Sequence, residues 1–554
     1  MTTAPARVRR SRWRAGARPV WTAVVVATAA LAVIPVAEVV AGVLSPTPQL
    51  WARLWSTVLP GMIGTTLVLM LAVIAGTLLL GAGLAWLVTA YRFPGSGVFG
   101  WLLVLPLAMP TYVLGFLFLS LLDVPGPVQS GLRALFGPEV WFPEIRSVGG
   151  VAIVFSLALY PYVYLLARAA LREQAPAAFE AARTLGAGRS RAALRVVLPM
   201  ARPSLAAGVA LALMETLTDF GTVSYFNVHT VSVGVLQVWK GQFDRAAATE
   251  LAGVVLVFAL LVIAGERLLR GRARYHQRAA AGSGWRPARL TGAKAWAATA
   301  TCGAVLMAAF GLPVARLLWW AVPDLLFDAG GLDLRYAGYF GNSLVVASVA
   351  AASCAALGFA VANGIRLSGG RLTRTAAQLT TVGYAIPGVV VAIGVLIAFA
   401  QLDAGLEGLG VPGGTGLLVT GSVAGVLYAY VVRFLALGFH SVDASFSKVN
   451  PTMTAAALSL GAAPAAVTGR VHLPLVRAGI VTATVLVAID AIKELPIVLL
   501  LRPFGFDTLS VWTYQLASES RWQSAALPAL TIVAAALIPV LVLLGRERGA
   551  EAMR

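Results

Sequence analysis

The stretch Leu54–Tyr91 reads LWSTVLPGMIGTTLVLMLAVIAGTLLLGAGLAWLVTAY and contains no Asp, Glu, Lys or Arg. A second run without these residues begins after Arg92 and ends before Asp123. A helix needs about 20 apolar residues to cross the hydrocarbon layer of a bilayer, so each run can hold one membrane span. Of the 554 residues, 59% are hydrophobic and only 12% are charged, which is too little charge to cover a soluble protein of this length. The chain is therefore predicted to be an all-α integral membrane protein.

Applied to the whole chain, the same criterion predicts about twelve transmembrane helices. The predicted spans are 20–44, 61–90, 98–122, 149–168, 204–225, 251–268, 296–320, 341–362, 376–400, 415–438, 478–500 and 525–545. The Arg-rich segment before the first span, followed by eleven more spans, indicates a retained first helix rather than a cleaved signal.

The net charge of +19 is distributed like that of a membrane protein. If the N-terminus is cytoplasmic, most Lys and Arg fall on the cytoplasmic connections, as the positive-inside rule expects. Both termini are then predicted to be cytoplasmic. The basic surface is expected to face anionic lipid headgroups of the bilayer, and no nucleic acid is expected as a partner.

An internal repeat divides the chain into two halves. Glu180–Gly186 (EAARTLG) returns as Ala455–Gly461 (AAALSLG), an offset of 275, and each copy is followed nine residues later by a segment ending in Leu-Pro. Further pairs near this offset are Pro110 with Pro387, Gly81 with Gly358, Glu215 with Asp490 and Asp219 with Glu494. The repeat predicts homologous six-helix halves at 1–268 and 296–554, joined by a basic cytoplasmic linker at 269–295. Two halves that enter the membrane in the same orientation are related by a pseudo-twofold along the membrane normal.

Each repeated segment lies in a predicted cytoplasmic loop, at about 176–203 and 451–477. An Ala-rich helical stretch is broken by Gly, which permits a sharp turn, and Leu-Pro then begins the next span. Such a short helix on the cytoplasmic surface can serve as a docking site for a partner.

This pattern resembles the EAA loop of ABC importer permeases. The first copy matches at every position, whereas the second has Ala455 in place of Glu. The resemblance implies that the two loops couple the permease to a cytoplasmic ATPase dimer. The implied coupling residues are Glu180, Ala181, Ala182, Gly186, Leu198, Pro199, Ala455, Gly461, Leu473 and Pro474.

Two further segments, Glu215–Phe226 and Lys493–Asp507, look like the corresponding parts of fused two-half ferric-iron permeases. That resemblance covers most of 60–545 and implies import of ferric iron across the bacterial cytoplasmic membrane. It also implies an extracytoplasmic iron-binding protein as partner and alternating access driven by the ATPases.

The chain is not expected to be an enzyme or to hold a cofactor. A P-loop requires Gly-Lys followed by Ser or Thr, and the dipeptide Gly-Lys does not occur. ATP and Mg²⁺ are therefore expected on the partner ATPase. The two Cys and four His residues form no predicted metal site, disulfide framework or nucleophile–base pair.

Charged residues inside membrane spans are costly and so indicate function. Glu215 and Asp219 are four residues apart and share one face of the fifth predicted span. Asp490 and Glu494 repeat that spacing on the matching eleventh span, where Lys493 adjoins Glu494. One hypothesis places these five residues along a translocation path, because carboxylate oxygens suit a hard cation. The other makes them structural, neutralised by Lys493 or hydrogen-bonded to neighbouring helices.

Two alternatives remain at this stage. A twelve-span secondary transporter also has two parallel halves, but the 91–97 loop, YRFPGSG, lacks the Asp-Arg signature of the major facilitators. The second alternative keeps the ABC permease and changes its cargo to thiamine, a phosphonate or another small solute.

Overall fold

The structure is a computed structural model that describes residues 7–173, 176–242, 245–270, 287–327, 334–411, 415 and 421–552. Regular structure in these ranges is helical apart from two strands of two residues each, β1 Tyr91–Arg92 and β2 Ala288–Arg289. The strands pair in parallel. The prediction of an all-α membrane protein is confirmed.

The helices run through the chain in the following order. They are α1 Arg7–Leu44, α2 Pro48–Thr57, α3 Leu59–Thr77, α4 Gly83–Ala90, α5 Ser96–Leu102, α6 Thr111–Leu122, α7 Pro127–Phe136, α8 Val148–Glu173, α9 Pro176–Thr184, α10 Arg189–Ala192, α11 Leu198–Thr218, α12 Gly221–Tyr225, α13 Val231–Gln242, α14 Arg245–Arg270, α15 Gly292–Leu306, α16 Leu312–Phe327, α17 Leu334–Ser368, α18 Arg371–Leu379, α19 Gly388–Gly408, α20 Val423–Phe446, α21 Pro451–Ser459, α22 Pro464–Val467, α23 Leu473–Lys493, α24 Pro496–Leu501, α25 Leu509–Ser518 and α26 Ala526–Ala552. Single π-helical turns join α3 to α4, α10 to α11, α15 to α16 and α22 to α23.

Within the described ranges, eleven helical segments are long and apolar enough to cross a membrane. They are Pro19–Leu44, Leu59–Ala90, Thr111–Phe136, Val148–Arg172, Ala193–Thr218, Ala246–Arg270, Gly292–Pro323, Arg335–Ser368, Gly388–Gly408, Val423–Phe446 and Pro464–Lys493. The predicted span 525–545 falls on α26, whose apolar part, Ala526–Ile538, is shorter than the others. These segments agree with a prediction of about twelve membrane helices.

Four predicted spans are interrupted, at matching places in the two halves. The backbone is extended at Met109 before Pro110 and again at Ile386 before Pro387, because a proline disfavours helix at the residue that precedes it. Span 98–122 is therefore built from α5, a 3₁₀ turn and α6, and span 376–400 from α18, a 3₁₀ turn and α19. Spans 204–225 and 478–500 break at Asp219 and Glu494, which are also extended.

Contacts divide the chain into two compact units that do not coincide with the predicted halves. One unit comprises 1–46, 248–253 and 334–511, and the other comprises 47–247, 254–333 and 512–554. The halves at 1–268 and 296–554 describe a duplication of sequence, and they remain a prediction. Most of the predicted linker, 271–286, lies outside the described residues.

In the first unit, α1 packs against α17 and α19. Val25 and Ala29 of α1 belong to the same buried cluster as Val361 of α17. Gly394 of α19 lies so close to the carbonyl of Pro35 that a side chain would collide with it, so glycine is required there. The first helix is thus part of a core built mainly from the second half of the sequence.

In the second unit, buried tyrosines of α8 fix the interrupted third span. Tyr160 Oη donates to the carbonyl of Leu103 at 2.9 Å, and Tyr164 Oη donates to the carbonyl of Gly100 at 2.9 Å. Both carbonyls lie near the helix break, where the regular i to i−4 bonding ends, so the tyrosines satisfy buried polar groups that the break exposes.

Candidate functional site

The two predicted coupling loops have the same backbone conformation. Helix α9 ends at Thr184 and is followed by Gly186, which has φ +84°, and α21 ends at Ser459 and is followed by Gly461, which has φ +89°. In the first loop, Ala187 N–H donates to Ala182 O at 3.0 Å and Gly186 N–H donates to Arg183 O at 3.1 Å. The second loop repeats both bonds, from Ala462 to Ala457 at 3.1 Å and from Gly461 to Leu458 at 3.2 Å. This pair of bonds is the Schellman motif, which needs a left-handed residue and so favours glycine.

Each loop then returns to the membrane through the same sequence of elements. A four-residue helix, α10 or α22, passes through a π turn at Ala193–Val197 or Thr468–His472 into α11 or α23. Leu198 and Leu473 are the first residues of these helices, and each is followed by a proline, which has no N–H group to donate into the preceding turn. The loop helix is thus connected to its membrane helix through helical turns and one short break.

Most of the predicted coupling residues are exposed. They are Glu180, Ala181, Gly186, Leu198, Pro199, Ala455, Gly461, Leu473 and Pro474, whereas Ala182 is half-buried. The residues just before the two glycines, Leu185 and Leu460, are each 88% exposed. This pair was not among the coupling residues predicted from the sequence, although Leu-Gly stands in both copies of the repeat. Each loop therefore presents a bare leucine next to its turn.

The inner faces of the two loop helices are held in different ways. In the first loop, the buried Phe179 packs edge-to-face on Trp86, with ring centroids 6.1 Å apart. In the second, Thr454 Oγ1 lies 2.9 Å from His472 Nε2, and His472 Nδ1 lies 2.6 Å from Asn363 Oδ1. His472 was not among the candidate residues predicted from the sequence, because nothing in the sequence places Asn363 beside it.

Asp219 lies at the break between α11 and α12 and is buried. Its carboxylate accepts hydrogen bonds from the Thr222 amide and hydroxyl, both at 2.8 Å, and from the Thr111 hydroxyl. Thr111 is the first residue of α6 after the Pro110 break. Asp219 thus caps the short helix α12 and ties the two breaks of its half together.

Glu494 occupies the matching break between α23 and α24. Its Oε1 accepts from the Ile497 amide at 3.4 Å, and its Oε2 lies 3.5 Å from Arg433 Nε. Arg433 also donates to the carbonyl of Ile386, just before Pro387, at 3.1 Å. In the second half of the sequence, the two breaks are therefore connected by Glu494, whose side chain is longer than that of Asp219, together with Arg433. Arg433 was missed, although it is a charged residue inside a predicted span.

The remaining candidate path residues are only partly buried. Lys493 forms an ion pair with Asp490, with Nζ 2.8 Å from Oδ1, and Glu215 is half-buried. The structure brings Glu215 and Asp219 into one compact unit, and Asp490, Lys493 and Glu494 into the other. A common path lined by all five stays a prediction. In the part of the chain that is described, no three His, Cys, Asp or Glu side chains form a group that could hold a metal ion.

Comparison with known proteins places these loops and helices in a family. Residues 77–275, which include the first loop, match the family described as "Binding-protein-dependent transport system inner membrane component". The Fe(3+)-transport system permease protein FbpB 2 of Haemophilus influenzae is 24% identical over 87% of this chain and 89% of its own length. The ferric transport system permease protein FbpB of Actinobacillus pleuropneumoniae is 23% identical over 64% of this chain and 52% of its own length.

The sulfate transport system permease protein CysT of Escherichia coli is 32% identical over 40% of this chain and 82% of its own length. The similarity to iron permeases thus spans both halves, whereas the sulfate permease aligns with a segment about the size of one half. The relatives are transport permease subunits, not enzymes. The chain belongs to the family of inner-membrane permease components of binding-protein-dependent ABC importers.

Proposed function

We propose that this permease imports ferric iron. The observation that carries the proposal is the length of the similarity to the Haemophilus influenzae iron permease, which covers 87% of this chain and therefore spans both halves. The similarity to the sulfate permease covers 40%. An extracytoplasmic iron-binding protein would deliver the ion, since the family depends on binding proteins.

The proposed energy source is a cytoplasmic ATPase dimer that docks on the two loops and binds the ATP and Mg²⁺. Two features support docking at these loops. Their turns are rigid, because each is closed by two backbone hydrogen bonds, and each presents an 88% exposed leucine. An exposed apolar side chain on a fixed turn is suited to a protein contact, because burying it in a partner's groove is favourable. Motion of the docked ATPases would then open the path outward.

The proposed orientation places both termini and the 269–295 linker in the cytoplasm. The concentration of Lys and Arg in those segments supports it, because positive charge is retained on the cytoplasmic side.

Uptake measurements test the cargo. Uptake of ⁵⁵Fe(III) and of ³⁵S-sulfate is measured in a host strain that lacks the gene, with and without a plasmid copy of the permease, under iron or sulfur limitation. Restored iron uptake with unchanged sulfate uptake is the expected result. If sulfate uptake is restored and iron uptake is not, ferric iron is rejected as the cargo and sulfate is favoured. Affinity purification of the full chain from the same host tests for the ATPase, and a preparation with no ATPase would reject docking.

For the carboxylates, we propose that Asp219 and Glu494 act chiefly as structural caps. Each accepts a hydrogen bond from a backbone amide of the helix that follows it. Asp219 also accepts from Thr111, at the start of the helix after Pro110, and Glu494 pairs with Arg433, which donates to the carbonyl of Ile386 just before Pro387. The double variant Asp219→Asn with Glu494→Gln should then lower thermal stability and expression, while iron uptake per folded, membrane-inserted molecule stays within about twofold. A large loss of uptake per folded molecule would instead favour the translocation path.

A further inference from the structure

We propose that Asn363, His472 and Thr454 form a polar latch that positions the second loop helix, α21, on the membrane helix α17. His472 is the positioning residue through which displacement of α21 reaches α17. This inference rests on the docking role proposed above for the loops, and it assigns the second loop a hydrogen-bonded connection to its membrane helix.

The latch joins three elements through one imidazole ring. Thr454 lies on α21, His472 ends the π turn before α23, and Asn363 lies on α17. His472 and Asn363 are fully buried and Thr454 is 7% exposed. A neutral imidazole has one donor and one acceptor. Because Asn363 presents its oxygen at 2.6 Å, Nδ1–H donates to it, and Nε2 accepts from the Thr454 hydroxyl at 2.9 Å.

Two further contacts fix the ends of the latch. The Asn363 amide nitrogen donates to Thr468 Oγ1 at 3.1 Å, so the π turn is held at both its first and its last residue. The ring of Phe446 packs edge-to-face on His472, with centroids 5.3 Å apart. The imidazole can therefore neither rotate nor shift without breaking a bond or a ring contact.

The first loop uses different chemistry at the same three places. With the offset of 275, Thr454 matches Phe179 and His472 matches Val197, and with the offset of 277 that relates Gly81 to Gly358, Asn363 matches Trp86. There, Phe179 packs on Trp86 and Val197 is buried. The packing of Phe179 on Trp86 is set by shape and buried area, whereas the latch is set by the directions of its hydrogen bonds.

A hydrogen-bonded interface behaves differently. In a low-dielectric interior, a donor or acceptor that loses its partner finds no water to replace it, so a satisfied network holds one geometry. Displacement of α21 must therefore carry His472 and α17 with it. The two loops are predicted to transmit motion unequally, with the second as the stiffer element.

Spin-label distances in the full chain, purified in lipid nanodiscs, test the latch. In a Cys302→Ala, Cys354→Ala background, nitroxides at Ser459→Cys and Ala356→Cys report α21 against α17. The matched pair in the first half, Thr184→Cys and Leu79→Cys, is the control. His472→Phe keeps a ring but removes the hydrogen bonds. It should at least double the width of the 356–459 distance distribution and leave the 79–184 width unchanged.

Rescue separates positioning from packing. His472→Gln retains a donor and an acceptor and should restore most of the wild-type width. If His472→Phe fails to fold, Thr454→Val replaces it in the test; this variant loses only the hydroxyl and should give an intermediate width. In cells, His472→Phe should lower ⁵⁵Fe(III) uptake per folded permease at least fivefold, and His472→Gln should recover at least half of it. Unchanged widths in His472→Phe or Thr454→Val would overturn the latch. If the wild-type chain recruits no ATPase, the docking proposal is overturned instead. The distance widths still test the latch in that case, because they do not depend on the ATPase.

Discussion

Replacing Gly186 by valine isolates the contribution of one backbone angle to coupling. Gly186 has φ +84°, and no heavy atom other than its own and those of its chain neighbours lies within 4 Å of the place where a side chain would begin. A larger residue therefore meets no steric obstacle, and the cost comes from the left-handed backbone alone. That cost is about 1–2 kcal/mol for a residue with a Cβ, and β-branching adds to it.

A penalty of this size lowers the ratio of closed to open turns in the loop by a factor of about 5 to 30. If only the closed turn docks productively, iron uptake per folded permease should fall by up to that factor, while insertion and expression stay normal because the site is exposed. Asparagine tolerates the left-handed region better than other residues with a side chain, so Gly186→Asn should lose much less uptake than Gly186→Val.

The chain supplies a matched control two residues away. Gly188 has equally open surroundings and no left-handed backbone, so Gly188→Val should leave uptake near the wild-type level. The assay is ⁵⁵Fe(III) uptake divided by the amount of folded permease, measured by fluorescence-detected size exclusion. Equal losses in Gly186→Val and Gly188→Val, or no loss in Gly186→Val, would refute the argument from the turn.

Three other predictions concern single features of the chain. Glu180→Ala should reduce uptake more than Ala455→Ser, because only the first loop carries the acidic residue of the pattern; equal effects would mean that the acidic side chain has no part in docking. Arg433→Met leaves Glu494 as a buried carboxylate without its cation and should destabilise the protein by about 3–5 kcal/mol, seen as a large fall in thermal midpoint, with partial recovery on adding Glu494→Gln. A cysteine placed in the 269–295 linker should react with an impermeant maleimide only after the cells are opened, and labelling of intact cells would reverse the topology.

The sequence predicts the membrane helices and the repeated loops well, because both depend on local patterns. Charge-free runs such as Leu54–Tyr91 correspond directly to bilayer thickness. The turn at Gly186 follows from the chain's own geometry, since an αL residue after an Ala-rich helix needs no distant partner. The second copy has a left-handed glycine at the matching place, Gly461, with φ +89°.

The helix breaks and the polar contacts were harder to predict. Pro110 and Pro387 were matched as a pair from the sequence, but the apolar pattern continues through both of them and therefore favoured unbroken spans. Arg433 and Glu494 lie 61 positions apart, and His472 and Asn363 lie 109 apart, so their contacts depend on how helices pack. Hydrophobic periodicity carries no information on such pairing.

The packing of α1 into a core made from later helices has a consequence for synthesis. Its neighbours α17 and α19 begin roughly 300 residues downstream, and at about 5–20 residues per second they emerge from the ribosome tens of seconds after α1 has entered the bilayer. During that interval α1 lacks both of these neighbours. The face of α1 that carries Val25 and Ala29 is buried only later, so it must first be one that lipid chains solvate well. Its apolar composition therefore serves the nascent protein as well as the finished one.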